Sequence, residues 1–304
     1  VKAQQLRLDG LRRMTWETHQ LDAPAEGKVR IRTLLSAVSV ASELSVVDGR
    51  TAHALPYSLG YQSLGVVEQA GAGVDLAVGT RVVAFYGHAS AAIAQASRCI
   101  EVPTDITDRT ALAAVLGEET AKGIRKVAPR PDERVLIAGA GLLGLLTIFN
   151  LTRLGIQDVT VLEPDPERRT LARLFGAEAL RPGKTDHDQF DVGFECSASP
   201  AGFSELLTCL RPHARACVLS DGNWGQLALP AAFHERELSL VASSDGDNYH
   251  AYAAWLWVNA HPLLERLFEV TVSPAELIPM FERLRRWPRP VSVVADWTRG
   301  TAFE

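Results

Sequence analysis

The sequence predicts an α/β protein of two parts, a β-rich N-terminal part and a doubly wound parallel-sheet part. Three observations point there. The first hundred residues carry short β-prone runs between glycine turns. From about Thr107, strand-like and helix-like segments alternate. One glycine-rich turn, Gly139-Ala140-Gly141-Leu142-Leu143-Gly144, joins an apolar strand to an apolar helix. Alternation of this kind implies a parallel sheet covered by helices on both faces.

In the first part, Lys28–Val40, Gly60–Glu68 and Gly79–Phe85 read as strands, and Lys28-Val29-Arg30-Ile31-Arg32 alternates polar with apolar residues. Such alternation leaves one face wet and one dry. Asp48-Gly49 and Gly71-Ala72-Gly73 read as turns. A helix then runs through Ala111–Leu116 toward Val127, stopped by Pro129 and Pro131. Strands follow at Val135–Ala138, Val159–Leu162, Val192–Glu195, Ala216–Leu219 and Leu238–Ala242, with helices at Leu142–Leu154, Asp165–Phe175 and Ala201–Leu210. Asp165 is a good N-cap, Pro166 a good first helical residue, and Gly176 a good stop. The last fifty residues break the series. A helix near Tyr249–Ala260, a segment Leu267–Thr271, a helix near Pro274–Arg286 and a strand Val291–Ala295 suggest a tail that returns to the N-terminal part.

The chain has 304 residues, 47% hydrophobic and 22% charged, with a net charge of −5. This is the profile of an ordinary globular protein. With no basic block, nucleic acid and anionic membrane are poor candidate partners. Val1-Lys2-Ala3-Gln4-Gln5 does not open a signal peptide, and the apolar stretch Val135–Leu151 is too short and too interrupted by glycine to span a bilayer. Cys99, Cys196, Cys209 and Cys217 form no C-x-x-C pair, so reduced thiols and a cytoplasmic setting are expected.

The glycine turn matches G-x-G-x-x-G in its proper context, which makes the second part a Rossmann-type unit for a nicotinamide dinucleotide. Gly139 allows the tight turn, Gly141 lets backbone approach a pyrophosphate, and Gly144 lets helix and strand pack closely. The amides of Ala140, Leu142 and Leu143 belong to the same cradle, with the helix dipole adding attraction for phosphate. Glu163 closes the next strand, where a carboxylate can accept hydrogen bonds from ribose hydroxyls and would repel a 2′-phosphate. NAD is therefore expected, with NADP left open because Arg168 or Arg169 could turn toward a phosphate. Cys196 and Ser197, after the fourth strand, and Ser220, with Asp221 and Gly222, after the fifth, are expected beside the cofactor. No general base stands next to Cys196, so it reads as a neighbour of the cofactor and not as a nucleophile.

The order of parts resembles the medium-chain dehydrogenase/reductase superfamily. The stretches that carry this are Gly60-Tyr61-Gln62-Ser63-Leu64-Gly65-Val66-Val67-Glu68, Val78-Gly79-Thr80-Arg81-Val82, Leu116-Gly117-Glu118 and the dinucleotide motif. Ser39-Val40-Ala41-Ser42-Glu43 with Gly60-Tyr61-Gln62-Ser63 is most similar to its bacteriochlorophyllide dehydrogenase branch. The resemblance implies a GroES-like catalytic domain at 1–108 and 262–304, and a Rossmann domain at 109–261. It implies a homodimer through the last Rossmann strand, a small-molecule substrate, and hydride transfer on an alcohol/ketone pair. A double-bond reductase using NADPH, or a dinucleotide-binding sensor without catalysis, are the alternatives.

One departure from the resemblance matters. Zinc-dependent relatives carry cysteine, histidine and glutamate where this chain has Val40, Tyr61 and Gln62, and the segment Phe85–Ile100 holds only Cys99 in place of a four-cysteine lobe. Valine cannot ligate a metal, and Tyr and Gln are poor zinc ligands. A chain without zinc is expected. Proton handling then falls to side chains. Ser42 stands where zinc relatives relay the alcohol proton, Glu43 where they carry aspartate, Tyr61 at a former ligand position, and Glu118 in the Gly-Glu step. Each also has a plainer reading: Ser42 as a helix N-cap, Glu43 paired with an arginine, Tyr61 as filler, Glu118 paired with Lys122. His88 reads as a surface-loop histidine, and Trp224, Trp255, Trp257, Trp287 and Trp297 read mainly as packing, or as the lining of an apolar pocket or subunit interface.

Overall fold

The computed structural model describes residues 1–220 and 225–300. They form two compact units, one from Val1–Ala114 with the tail from Leu256, the other Val115–Trp255. The divisions fall inside the helices Asp108–Val127 and Tyr249–Asn259, some residues away from the expected boundaries at 108/109 and 261/262.

The first unit holds a three-stranded sheet and a seven-stranded sheet. Strands Lys2–Gly10 and Arg13–Gln20 form a hairpin that the sequence reading did not resolve into elements, and Tyr57–Ser58 adds to its edge. In the larger sheet Lys28–Val38 pairs antiparallel with Gln62–Ala70 and Ala91–Gln95. The tail strand Val293–Asp296 pairs antiparallel with Leu35–Val38, beyond the stretch paired with Ala91–Gln95, and Val270–Val272 pairs parallel with the tail strand. A short helix, Val40–Val47, follows directly on Lys28–Val38. Its apolar face, with Val40, Leu44 and Val47, packs on Leu6, Leu8, Leu59, Leu277 and Phe281 to build the core of this unit.

The second unit is a six-stranded parallel sheet. Its order is Glu178–Leu180, Val159–Leu162, Val135–Ala138, Phe190–Glu195, Leu210–Val218, Ser239–Ala242. The crossovers run one way from Val135–Ala138 through the next two strands, then reverse to place Phe190–Glu195 on its other side. In an open parallel sheet, ligands bind where the strand order reverses, beyond the carboxyl ends. Here that crevice opens between Ala138 and Glu195, which are paired residues at the strand ends. Both central strands are buried along their length; Val135–Ala138 is an unbroken apolar run, while Phe190–Glu195 also buries Asp191 and Glu195.

The helix Pro166–Leu174 shows how local chemistry sets an element. Asp165 accepts hydrogen bonds from the amides of Glu167 (2.8 Å) and Arg168 (3.0 Å), Pro166 holds the first helical position, and Gly176, with φ +103°, follows its end. Among the described residues no helix is long and apolar enough to cross a membrane. Replacing Asp165 with alanine strips two amides of their partner and is expected to cost about 1 kcal/mol, read as a fall in the urea midpoint at unchanged m-value.

Candidate dinucleotide site and the catalytic candidates

The glycine turn sits at the reversal point. Gly139 has φ +92°, and a Cβ there would come within 2.8 Å of Ser197 Cα. A Cβ on Gly144 would overlap the carbonyl oxygen of Gly139. Gly141 is different: the nearest atom to an added Cβ is Arg168 Nη1, at 3.9 Å, so this face of the turn is open. Gly141 is the N-cap of the helix Leu142–Arg153 and provides no side-chain cap. First-turn amides of a helix lack intrahelical partners and favour an anion. The open second glycine and the uncapped helix start therefore fit a diphosphate. Leu142 and Leu143 offer only backbone to it, and the Leu142 side chain is buried.

Glu163 is 3% exposed and ties two turns together. Its Oε2 accepts from Ala140 N (2.8 Å) and its Oε1 from Asp165 N (2.9 Å). A fixed negative charge stands at the end of the second strand. The two arginines that follow have separate work. Arg169 is buried and donates to the carbonyls of Glu163 (2.8 Å) and Pro164 (2.6 Å), so it is committed to the loop. Arg168 lies half-buried beside Gly141. Desolvation lowers its pKa, while the charges of Glu163 and Asp165 oppose that shift.

On the other side of the reversal point, Glu195 organises the loop. Its Oε1 accepts from Ser197 N (2.6 Å), Ser197 Oγ (2.7 Å), Ala198 N (2.7 Å) and Ser220 Oγ (3.3 Å). Ser197 and Ser220 are thus held in place by a buried acid whose role the sequence did not suggest. Burial raises the Glu195 pKa, against the pull of those hydrogen bonds. Cys196 faces Gly144 and Thr147, and burial pushes its thiol well up, which suits an inert neighbour. Asp221, Gly222 and Trp224 lie outside the described residues.

Glu118 is fully buried and accepts both arms of Arg125, at 2.7 and 3.2 Å, together with Asn248 N at 3.0 Å. The expected pairing with Lys122 gives way to this clamp, and Lys122 instead donates to Ser244 O. The next residue, Glu119, has its pKa pushed up to about 8 by burial first, then by the charges of Asp245 and Glu118. It keeps its proton near neutral pH, which no sequence pattern signalled.

In the first unit, Ser42 sits inside the first turn of Val40–Val47, and the N-cap is Ser39. Ser42 is half-buried, as is Tyr61, which precedes the Gln62–Ala70 strand. Among the described residues Glu43 pairs with no arginine. Its Oε1 accepts from Ser39 N (2.8 Å) and its Oε2 meets His88 Nε2 (3.0 Å). His88 is therefore no surface-loop residue: it is 0% exposed, against 4% for Glu43. Its Nδ1 meets Ser36 Oγ at 2.8 Å, and Ser36 Oγ also accepts from Trp297 Nε1 at 3.0 Å. With a neutral ring, the Ser36 hydroxyl donates to Nδ1 and Nε2–H donates to Glu43. With a charged ring, Nδ1–H donates to Ser36. The turnable hydroxyl satisfies either state. This Ser-His-Glu string offers no nucleophile, because Ser36 is fully buried and already engaged.

The tryptophans divide by role. Trp297 packs edge-on to Trp16, and Trp255 packs against Phe149 and Tyr252. Trp257 is half-buried, while Trp287 is 57% exposed with Arg289 stacked 4.6 Å from its ring. Gln62 is 1% exposed, and neither of its amide atoms has a partner among the described residues.

No protein-family profile matches the chain. Over nearly its whole length it is similar to a short-chain alcohol dehydrogenase from Escherichia coli CFT073 complexed with NADH (TM-score 0.83, 18% identity, 97% of this chain and 99% of that one). It is equally similar to acetophenone reductase from Geotrichum candidum NBRC 4597 in complex with NAD (TM-score 0.83, 19% identity, 97% of each chain). The chain has the fold of these dehydrogenase and reductase structures. Within that fold, the β-rich unit corresponds to the GroES-like part and Val115–Trp255 to the Rossmann part. In sequence, the chain is 31% identical over 156 residues to the Saccharomyces cerevisiae protein named probable diacetyl reductase [(R)-acetoin forming] 2, a match covering 46% of this chain and 36% of that protein. The chain spans about a third of the length of the curated relatives it matches.

Breaking the buried Glu43–His88 pair tests how much the fold of the first unit depends on it. Replacing His88 with leucine strands the Glu43 carboxylate and is expected to cost about 3–5 kcal/mol, measured by urea denaturation. A loss below about 1 kcal/mol, the size expected of an exposed pair, would show that Glu43 does not rely on the ring. Replacing Gln62 with leucine removes an amide whose polar atoms have no partner, and an unfolding free energy higher by about 1–3 kcal/mol is expected.

Proposed function

We propose that the chain is an NAD(H)-dependent oxidoreductase that transfers hydride between nicotinamide and an alcohol/ketone substrate without catalytic zinc. The observation that carries this reading is the open, uncapped turn at Gly141, set at the reversal point of the sheet with Glu163 fixed beside it. The bound nicotinamide supplies or accepts the hydride. The chain's own residues hold the diphosphate on the backbone of Gly139–Gly144 and oppose a 2′-phosphate through Glu163, which favours NAD over NADP. Glu195 keeps the Cys196–Ser199 loop in position.

Donor chemistry supports the absence of zinc. Val40 is spent on the apolar core, and Gln62 and Tyr61 stand in place of better ligands. His88 has both ring nitrogens engaged, and Glu43 is held by His88 and Ser39 N. Ser42 is the residue to which we assign proton exchange with the substrate oxygen, and the Tyr61 phenol is suited to donate a hydrogen bond to it. Glu43 is better described as a positioning residue for the Ser42 helix, and Glu118 as a clamp of its own unit. We further place the protein in the cytoplasm, on the ground of four free cysteines, and as a homodimer through the last strand of the parallel sheet, Ser239–Ala242.

Relatives named for diacetyl and acetophenone make these two ketones the first substrates to try. Purified protein is expected to bind NADH in a fluorescence titration, to oxidise it with at least one such ketone, and to carry far less than one zinc per chain by metal analysis. Ser42→Ala is expected to lower kcat by about 100-fold or more at unchanged NADH affinity. Failure to bind either dinucleotide sinks the reading. Stoichiometric zinc sinks the metal-free part alone, and a preference for NADPH sinks the role given to Glu163.

A further inference from the structure

The amide of Gln62 is buried without a use in the fold. Gln62 opens the strand Gln62–Ala70 and is 1% exposed, and neither Oε1 nor Nε2 has a hydrogen-bond partner among the described residues. A primary amide can give two hydrogen bonds and accept two. Burying one with none of them made is costly, and buried polar groups are nearly always paired. The register shows why the first unit cannot serve it. Gln62 pairs with Ala37, and Ala37 pairs with Val294, so the cross-strand row on its face is apolar and buried. The adjacent polar residues lie on the other face, because neighbours along a strand alternate. There Ser63 donates to Tyr86 O at 3.0 Å, and its cross-strand partner Ser36 is held by His88 and Trp297. The sheet itself stands between the Gln62 amide and both hydroxyls.

We propose that the Gln62 amide is a substrate contact, which recognises a hydroxyl group that the substrate carries besides its reacting oxygen. This rests on the alcohol/ketone reading above and narrows the substrate to a hydroxylated one. Placement supports it. The strand Lys28–Val38 runs from Ala37 almost directly into the helix Val40–Val47, whose first turn carries Ser42, and Tyr61 is the residue before Gln62. The two residues assigned to the reacting oxygen and the orphaned amide therefore come from one end of one strand pair. Chemistry supports it too. A hydroxyl both donates and accepts, so it can satisfy Oε1 and Nε2 together, whereas an alkyl or aryl group satisfies neither. A site that keeps a buried polar group for a substrate hydroxyl rejects an analogue without it, because the analogue leaves that group unpaired. The free protein bears the cost of the amide, and the bound substrate removes it.

Matched ketones test this. Acetone and hydroxyacetone share a reacting carbonyl and differ by one hydroxyl, as do acetophenone and α-hydroxyacetophenone. Their reduction by NADH would be followed with the wild-type chain, Gln62→Leu and Gln62→Met, the last keeping the length of the side chain. Urea unfolding of each free protein would be measured beside it. The wild-type kcat/KM is expected to favour the hydroxylated member of at least one pair by about 100-fold or more. In both variants that preference is expected to fall by about 10- to 100-fold, with most of the loss in KM, while the urea midpoint rises. A weaker enzyme in a more stable chain is a pairing that a structural role for the amide would not produce. Gln62→Met reports alone if Gln62→Leu does not fold. A wild-type chain indifferent to the hydroxyl, or variants that keep its preference, would overturn the proposal. So would a lower urea midpoint in the variants, which would show the amide to be paired in the free protein. Wild-type protein that reduces none of the four ketones would instead remove the alcohol/ketone reading, and this inference with it.

Discussion

The carboxylate of Glu163 is the tie on which the loops at the end of the parallel sheet depend. One oxygen takes the amide of Ala140 in the first strand–helix turn, the other takes Asp165 at the start of the second. Without it, two loops that meet only at the strand ends would each need another partner for a buried amide. With it, the glycine turn, the Asp165 cap and the Arg168 backbone form one rigid assembly. The two loops at this edge of the sheet are therefore braced by one side chain. Glu195 does the corresponding work across the reversal point, gathering Ser197, Ala198 and Ser220 onto a single oxygen.

Much of this unit was legible in the sequence because its signals are local. Val135–Ala138 and Val159–Leu162 are bounded in the structure where the apolar runs end, and the Asp165-Pro166 cap needs no distant partner. The β-rich unit was less legible. Lys2–Gly10 and Arg13–Gln20 carry polar residues at many positions, since a hairpin at the edge of a unit buries only part of one face. Strand ends were misplaced where the chain turns directly into another element: Lys28–Val38 stops two residues early because Val40 begins a helix.

The catalytic candidates were the hardest to read, and for a consistent reason. Ser36 and Glu43 are seven residues apart, but His88 and Trp297 come from distant parts of the chain, so no spacing rule links the four. A histidine in Tyr86-Gly87-His88-Ala89 looks like a loop residue until Gly60 is seen packed against its ring, where no larger residue would fit. Glu118 was singled out as a catalytic candidate, and its partner, Arg125, is seven residues along the same helix, beyond the one-turn spacing that helical rules cover.

The Ser36–His88–Glu43 string bears on how this interior would answer an attempt to install a metal. Cysteine and histidine placed at Val40 and Tyr61 would supply donors but leave the surrounding shell committed elsewhere. Glu43 is already wedded to His88 and a backbone amide. A metal centre could be built here only by dismantling an interior that now holds itself together.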